Sequence, residues 1–218
     1  MKKIAVILAG CGVRDGSEIH EAVCTVLAIT QQGAEPVFFA PQGLLQEVNH
    51  LTGETTGQQR DILVESARIA RGVIQPVEKA DIEQLDGIII PGGFGAALNL
   101  SDFALKGAAG TPEPTVTALV RQAYKAGKPV GAICIAPATL ALILGPDVHP
   151  TVTIGTDAGT AAEIEKTGAK HSSCSADDCI VDEINKIVTT PAYMLASNIA
   201  EVYAGVAKCV SALLRLCN

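Results

Sequence analysis

Short unbroken runs of hydrophobic residues recur along the chain, and most of them end at glycine or proline. They cover residues 3–9, 36–40, 86–90 and 129–133, and a glycine or proline stands at positions 10, 41 and 91. Brief apolar runs bounded by such turn residues are typical of buried strands. We therefore predict a strand in each run.

Between these runs the hydrophobic residues return at helical spacing. In the first such segment, apolar residues from Ile19 to Leu27 share one face until Gly33 ends the pattern. Asp15 and Glu18, three residues apart, predict a capping box at its start. The same spacing predicts helices over residues 58–71, 114–126, 158–166 and 194–216.

Three further segments have weaker patterns. Residues 41–57 contain Gly, Asn and Thr without a sustained period, so we predict a loop or irregular excursion there. Residues 72–77 predict a short strand. Residues 180–182 and 186–190 predict two strands joined through a polar turn.

The alternation of strands and helices predicts parallel βαβ units. We expect one domain over residues 1–218, with an α/β fold in which helices cover both faces of a mostly parallel sheet. The corners after Ala9, Ile90 and Ile133 then lie at the carboxyl ends of strands. Ligands of such sheets bind at that edge.

Composition supports this class and limits the partners. Hydrophobic residues make up 48% of the chain and aromatic residues 3%, a mixture typical of strands covered by helices. The net charge is −7 without a cluster of Lys or Arg, so we expect no nucleic-acid partner and no attraction to an anionic membrane. The longest uncharged stretch, residues 130–145, contains Pro137 and is shorter than the roughly 20 apolar residues that span a bilayer.

The N-terminus and the cysteines bear on the compartment. Lys2 and Lys3 before the first apolar run imitate a secretion signal, but a buried first strand has the same composition and we favour the strand. Seven cysteines, an odd number without a C-x-x-C pair, are typical of free thiols in a reducing compartment. We expect a cytoplasmic protein.

Cys134 stands between a hydrophobic strand and a helix start, in the segment GAICIAP. Backbone N–H groups and the helix dipole at such a corner favour a thiolate and predict a lowered thiol pKa. The N–H of Ile135 would then be available to an oxyanion beside the sulfur. The alternative is a buried structural cysteine, and this segment alone does not decide between the two.

The segment PGGFG places Gly92 and Gly93 directly after a strand, where glycine permits positive φ and close backbone approach. An ordinary tight turn is the alternative. Neither this corner nor the glycines at positions 10, 12 and 16 have the spacing of a phosphate or dinucleotide loop. We expect no nucleotide cofactor.

Two acids lie near the start of the first predicted helix. Glu18 and Glu21 are three residues apart and share roughly one face, so either could reach the carboxyl edge of the sheet. Glu18 is explained by the predicted capping box. Glu21, in an otherwise apolar helix, is the stronger candidate for chemistry.

Nothing in the spacing of potential ligands predicts a metal site. Cys174 and Cys179 lie near acidic residues and a histidine, but their spacing fits no usual zinc pattern, and Cys11 and Cys24 are interpreted as packing thiols. The histidines are scattered along the chain, at His20, His50, His149 and His171.

Five ordered motifs together resemble the DJ-1/PfpI superfamily, and more narrowly its ElbB subgroup of isoprenoid biosynthesis proteins with an amidotransferase-like domain. They are GCGVRDGSEIHEA, PGGFGAALNLSDFA, CIAPA, TIGTD and KIVTTPAYM. The resemblance covers nearly the whole chain. It implies a flavodoxin-like three-layer sandwich and a homodimer.

The same resemblance implies the roles of individual residues. Cys134 would be the nucleophile and Glu21 the acid beside its sulfur, because Glu21 keeps the family's separation from the helix-ending Gly33. The oxyanion corner would be formed by backbone N–H groups of Gly92, Gly93 and Ile135.

Two departures from the family matter. Members with peptidase-type triads carry His directly after the cysteine, where this chain has Ile135, and glutamine amidotransferases carry a late His-x-Glu pair, where this chain has TPAY at residues 190–193. Protease and ammonia-releasing activities are therefore in doubt.

The resulting hypothesis is a cofactor-free, glyoxalase III-like lyase. Cys134 adds to glyoxal or a similar small dicarbonyl, and Glu21 moves a proton between the two carbons to give the hydroxy acid. The alternative is a redox-sensing or regulatory homodimer with an oxidisable Cys134, linked to isoprenoid biosynthesis and without enzymatic activity.

Overall fold

Seven strands form the central sheet in a computed structural model that describes residues 1–217. The strands of this sheet and of two smaller sheets are β1 (Lys3–Ile7), β2 (Glu35–Ala40), β3 (Leu44–Val48), β4 (Thr55–Asp61), β5 (Gln75–Pro76), β6 (Gly87–Ile90), β7 (Val130–Ile133), β8 (Thr151–Val152), β9 (Lys170–His171), β10 (Ile180–Asp182) and β11 (Ile187–Thr190). The α-helices of the same part of the chain are α1 (Ile19–Gln31), α2 (Ile62–Ile69), α3 (Phe94–Leu98), α4 (Phe103–Lys106), α5 (Pro114–Lys125), α6 (Ala136–Val148), α7 (Ala158–Lys166) and α8 (Ile199–Leu216).

The central sheet has the strand order β10-β11-β7-β6-β1-β2-β5. All neighbouring strands are parallel except the pair β10 and β11, which is antiparallel. The carboxyl ends of β1, β6, β7 and β11 therefore meet at one edge. The hairpin β3–β4 and the parallel pair β8–β9 form the two smaller sheets.

Alternate residues of each strand supply the cores on the two faces of the sheet. From β1, Ile4 and Val6 pack with residues of α1, α2 and α8, whereas Ala5 and Ile7 pack with residues of α3, α5, α6 and α7. All four side chains are fully buried. This period-two pattern gives helix, sheet and helix layers, so the predicted flavodoxin-like α/β sandwich is confirmed.

The bounds of the predicted elements agree with the structure to different extents. Residues 158–166 and 180–182 have the predicted bounds. The last helix begins later than predicted, at Ile199, because the side chain of Asn198 caps it by accepting the N–H of Ala200 at 3.0 Å and of Glu201 at 3.1 Å. Residues 192–194 form a separate 3₁₀ turn.

The helix predicted over residues 58–71 is shorter than expected. Its first residues belong to β4, and α2 begins only after Asp61, whose carboxylate accepts the N–H of Val64 at 2.8 Å. The hairpin also occupies most of residues 41–57, which were predicted to be irregular. Every residue of β4 is exposed, so this strand has no hydrophobic alternation to reveal it.

The predicted capping box of Asp15 and Glu18 is wrong. Glu18 itself is the N-cap of α1 and accepts the N–H of Glu21 at 2.7 Å. Asp15 instead accepts the N–H of Val48 at 2.9 Å, which ties the loop after β1 to the β3–β4 hairpin. The short strand predicted over residues 72–77 is reduced to β5.

Within residues 1–217, none of the helices combines the length and the apolar character needed to cross a bilayer.

Candidate active site

The loops that follow β1, β6, β7 and β11 surround a cleft of about 870 Å³ at the carboxyl edge of the sheet. Parallel α/β sheets bind ligands at this edge. The helices α3, α4 and α7 contribute its outer walls. The cleft is lined by Val13, Gly93, Phe94, Ala97, Phe103, Ala104, Leu105, Lys106, Gly107, Cys134, Ile135, Asp157, Gly159, Thr160, Glu163, Tyr193 and Met194.

Cys134 occupies the corner between β7 and α6. Its φ is +62°, in the left-handed region that residues with a Cβ rarely adopt. Its N–H donates to the carbonyl of Thr190 at 2.9 Å, and Ile135 is the N-cap of α6. The side chain is 7% exposed and lines the cleft. The strand-to-helix elbow predicted from the sequence is therefore present.

Glu21 projects from the first turn of α1 towards this corner and is fully buried. Its Oε1 accepts the N–H of Tyr193 at 3.1 Å. Its Oε2 is buried without a well-formed hydrogen bond to any residue in 1–217. A Cβ built on Gly92 would overlap both this oxygen and the Cβ of Cys134, so the three residues are in close contact.

Burial keeps the carboxyl of Glu21 neutral. Loss of solvation raises the pKa of Glu21 to about 8. The Tyr193 N–H opposes this increase, whereas the nearby charge of Glu18 adds to it. The smaller contributions of the Cys134 thiol and the Gly92 N–H lower the pKa. Glu21 is therefore mostly protonated at neutral pH.

The predicted lowering of the Cys134 pKa is wrong. Burial and the negative charge that Glu21 can carry raise the pKa of the thiol well above its ordinary value. The backbone N–H groups of Gly93 and Ile135 act in the opposite direction, as expected at a helix start, but they do not outweigh these effects. The pair is thus a thiol and a carboxylic acid at neutral pH.

Two of the three predicted oxyanion residues face the sulfur. The N–H groups of Gly93 and Ile135 interact with the Cys134 side chain, whereas the N–H of Gly92 interacts with Glu21 instead. Gly93 has φ +97°, and a Cβ on it would overlap the carbonyl of Gly16. Only glycine permits this approach of the loops after β1 and β6.

Hydrogen bonds hold these two loops together. The N–H of Phe94 donates to the carbonyl of Val13 at 2.8 Å, and the N–H of Gly95 donates to the carbonyl of Gly16 at 2.9 Å. The side chain of Asn99 donates to two carbonyls of the first loop, including that of Asp15, at 2.8 Å. The corner at Gly93 is therefore fixed on both sides.

Tyr193 is a site residue that the sequence analysis missed. It follows Ala192, a buried residue with φ +44°, and this strained turn directs the Tyr193 N–H at Glu21. The Tyr193 hydroxyl is hydrogen-bonded to Nδ1 of His20 at 2.8 Å. Since the contact to Glu21 is made by a backbone atom, no side-chain pattern could have revealed it.

The outer walls were also missed. Phe94 is in α3, and Phe103 and Leu105 are in α4, but no element was predicted for residues 94–106. The aromatic residue directly after the Gly92-Gly93 corner was the available signal, because a large apolar side chain beside a strand-end loop can line a binding cleft.

The histidines do not reach the sulfur through the cleft. Among the residues that line it none is a histidine. His149 ends α6 and hydrogen-bonds the carbonyl of Gly168 at 2.9 Å, and His171 lies in β9. Across residues 1–217 there is no cluster of three or more potential metal ligands, and all seven cysteines are free thiols.

Known proteins resemble this chain along most of its length. The model of the DJ-1/PfpI family matches residues 2–190. A human protein, glutamine amidotransferase-like class 1 domain-containing protein 3, mitochondrial, is 38% identical over 98% of this chain and 83% of its own length. The ES1 protein, mitochondrial, of Danio rerio is 29% identical over 88% of this chain and 76% of its own length.

Two solved structures extend the comparison. The isoprenoid biosynthesis protein with amidotransferase-like domain from Ehrlichia chaffeensis has a TM-score of 0.94 and 38% identity, with 99% of both chains covered. DJ-1beta of Drosophila melanogaster has a TM-score of 0.55 and 15% identity over 99% of this chain and 95% of its own, which supports the fold alone.

We predict that Glu21→Gln stabilises the protein and that the gain grows with pH. Between about pH 4.5 and about 8 the unfolded state has lost the Glu21 proton while the folded state keeps it, so the wild type loses stability as pH rises. An uncharged amide avoids this loss. Urea unfolding at pH 5 and pH 8 should show the variant more stable at pH 8 by up to a few kcal/mol.

The control is Glu54→Gln, which changes an exposed acid near the hairpin. It should alter the free energy of unfolding by no more than about 0.5 kcal/mol at either pH. A Glu21→Gln variant that is equally destabilised at both pH values would contradict a neutral, buried Glu21.

We also predict that Gly92→Ala disrupts the corner. The added methyl group would overlap the Cys134 Cβ and the Glu21 carboxyl, so the backbone must shift at a cost of about 1–3 kcal/mol. Gly159→Ala is the matched control, since its Cβ would meet only Asp157 Oδ1 at 3.5 Å. Thermal unfolding should show a lower Tm for the first variant and an unchanged or higher Tm for the second.

Proposed function

This chain belongs to the DJ-1/PfpI family, and we propose that it is a cofactor-independent glyoxalase that converts glyoxal, or a similar small dicarbonyl, to the hydroxy acid. One observation carries the proposal: a fully buried carboxyl oxygen of Glu21 lies beside Cys134 and makes no well-formed hydrogen bond within the described chain. Such a group can take and return a proton beside the sulfur.

In the first step, Sγ of Cys134 forms a bond to one aldehyde carbon of glyoxal. The carboxylate form of Glu21 takes the thiol proton as this bond forms and passes it to the aldehyde oxygen, which gives a hemithioacetal. Developing charge on that oxygen is stabilised by the N–H groups of Gly93 and Ile135, which already face the sulfur.

In the second step, Glu21 removes the hydrogen from the carbon bonded to sulfur. The electron pair of that C–H bond forms an enediolate, and the hydroxyl proton on the first carbon passes to the oxygen of the second carbon. Glu21 then returns the abstracted proton to the second carbon. The product is a thioester in which a hydroxyacetyl group is bonded to the sulfur of Cys134. Water then cleaves the thioester to glycolate and regenerates the thiol, so the overall reaction consumes one glyoxal and one water.

The groups around Cys134 favour carbonyl addition over peptide cleavage. A peptidase needs a general acid for the leaving amine, commonly a histidine. Ile135 occupies the position after the nucleophile, and the cleft lining described above contains no histidine. The proposed isomerisation has no amine leaving group, so a single carboxyl is sufficient.

A homodimer is proposed on a separate observation. Ile19, Val23 and Leu27 follow one another at four-residue spacing on α1 and are 44%, 52% and 44% exposed. An exposed apolar row of this kind is typical of a protein interface. We propose a second copy of the chain as the partner, and a reducing compartment such as the cytoplasm on the basis of the free thiols.

The rival function, a redox sensor, requires a thiolate that reacts with peroxide at neutral pH. Burial and Glu21 raise the pKa of the Cys134 thiol, so this reaction is disfavoured in the resting protein. We therefore place the enzymatic function first.

We predict that Cys134→Ser and Glu21→Gln each lower kcat/KM for glyoxal by about 10²- to 10⁴-fold, because each removes a group that takes part in bond formation or proton transfer. Glycolate production by purified protein measures the effect. Glu54→Gln should retain wild-type activity.

Equal rates for the wild type and Cys134→Ser would contradict the proposal. A gain in mass at Cys134 with peroxide, together with no multiple-turnover loss of glyoxal, would favour the sensor instead. The urea unfolding of Glu21→Gln verifies that this variant is folded, so that a loss of its activity is not caused by unfolding.

We predict that kcat/KM for glyoxal rises about tenfold per pH unit below pH 8 and then levels off. The reactive pair must have lost one of its two protons, and the pKa of Glu21 is about 8. The plateau follows because the Cys134 pKa is well above its ordinary value. Rates measured from pH 6 to 9, corrected with Cys134→Ser, test this, and a flat profile would contradict it.

A further inference from the structure

We propose that the preferred substrates at Cys134 are uncharged α-dicarbonyls with a bulky apolar substituent, an inference that rests on the proposed glyoxalase function and deepens it. The size, the lining and the charge pairing of the cleft each support this substrate class.

The cleft is much larger than glyoxal requires. Glyoxal has only two carbons and two oxygens, whereas clefts of roughly 300–1,000 Å³ hold drug-sized ligands. The cleft at Cys134 has about 870 Å³. A dicarbonyl bonded to the sulfur, with its oxygens at Gly93 and Ile135, would leave most of this space to its substituent.

The space beyond the sulfur is walled by apolar side chains. Phe94, Phe103, Leu105 and Met194 face it, and Phe94 and Leu105 are 53% and 75% exposed. Large apolar side chains held open to water at a concave site gain favourable contacts when an apolar ligand covers them. Neither side chain is needed to bind glyoxal itself.

The charged groups of the cleft already have partners. Lys106 pairs with Asp102 at 2.5 Å. Asp157 caps α7 by accepting the N–H of Thr160 at 2.7 Å. No strongly basic cluster therefore faces the cleft, and an anionic substituent would have to compete with an existing ion pair.

Glu163 is held in the same way. Its carboxylate accepts the N–H of Ala108 at 2.9 Å and pairs with Lys166 at 2.5 Å. With these pairs formed, the cleft favours a neutral substituent over a phosphate or carboxylate.

Phenylglyoxal is the probe of this class. The sulfur adds to its aldehyde carbon, and the thiol proton passes to the aldehyde oxygen. Glu21 then moves the hydrogen of that carbon to the carbon that bears the phenyl ring, while the hydroxyl proton passes to the ketone oxygen to give a thioester. Water then releases mandelate. One phenylglyoxal and one water are consumed, and no oxidant or reductant is needed.

The experiment compares kcat/KM for phenylglyoxal and glyoxal, each corrected for its rate with free N-acetylcysteine. The wild type should prefer phenylglyoxal by at least tenfold. Ala104→Trp fills the cleft from an exposed position and Leu105→Asp makes its wall charged, so each should lower the phenylglyoxal-to-glyoxal ratio at least tenfold. Leu51→Asp, at a 98% exposed position outside the cleft, should leave the ratio unchanged.

The outcomes separate this inference from the function it rests on. Turnover of glyoxal without the preference, or with a ratio that neither cleft variant changes, overturns the substrate class and leaves the glyoxalase function standing. Absence of turnover with both compounds overturns the function and the substrate class together.

The alternative occupant of the cleft is a second copy of this chain. Light scattering of the wild type and Leu105→Asp tests it, and thermal unfolding verifies that both are folded. If the substitution dissociates a dimer and leaves the substrate ratio unchanged, the apolar wall is an interface and the substrate assignment is wrong.

Discussion

Burial of the Glu21 carboxyl beside Cys134 is the constraint on which the rest of the site depends. A carboxylate in this position would lose its hydration and gain only one well-formed hydrogen bond, from the Tyr193 N–H, so the neutral acid is favoured. The neighbouring thiol is neutral for the same reason, since burial and the potential charge of Glu21 both raise its pKa. At neutral pH the Glu21 carboxyl and the Cys134 thiol therefore each keep a proton. The dipoles directed at the sulfur are those of backbone N–H groups.

Backbone atoms have this influence because the loops at four strand ends converge on Cys134. The loops after β1 and β6 touch through Gly16 and Gly93, where a Cβ would overlap the opposite backbone. The loop after β11 places Tyr193 by a left-handed Ala192, and β7 ends at a left-handed Cys134. Each of these conformations is unfavourable alone and persists because the surrounding sheet over-determines it. The rigid strand ends therefore fix the directions of the backbone N–H groups around Cys134.

The parts of the molecule that depend on local pattern were predictable from the sequence. The buried strands follow from their apolar runs, and the Cys134 elbow follows from a strand that continues directly into a helix. Glu21 needed the family resemblance, because a single acid in an apolar helix does not specify what it faces. The β3–β4 hairpin, the role of Tyr193 and the direction of the Cys134 pKa shift were not predictable. None of these features follows from a local side-chain pattern. The strand β4 is polar and exposed, and Tyr193 contacts Glu21 through a backbone donor. Cys134 is buried beside Glu21 of α1, which is more than 100 residues away in the chain.

A neutral thiol–acid pair also explains how a nucleophile can be kept in so apolar a cleft. A free thiolate there would need a counter-ion, and the groups that favour it are only the N–H groups of Gly93 and Ile135. In the proposed reaction the charge need not rest on the sulfur, because its proton moves through Glu21 to the carbonyl oxygen while the S–C bond forms. The dipoles at the corner then stabilise charge that is present mainly when a carbonyl occupies it. The same burial lowers the fraction of thiolate with which an oxidant could react, because it raises the pKa of the Cys134 thiol.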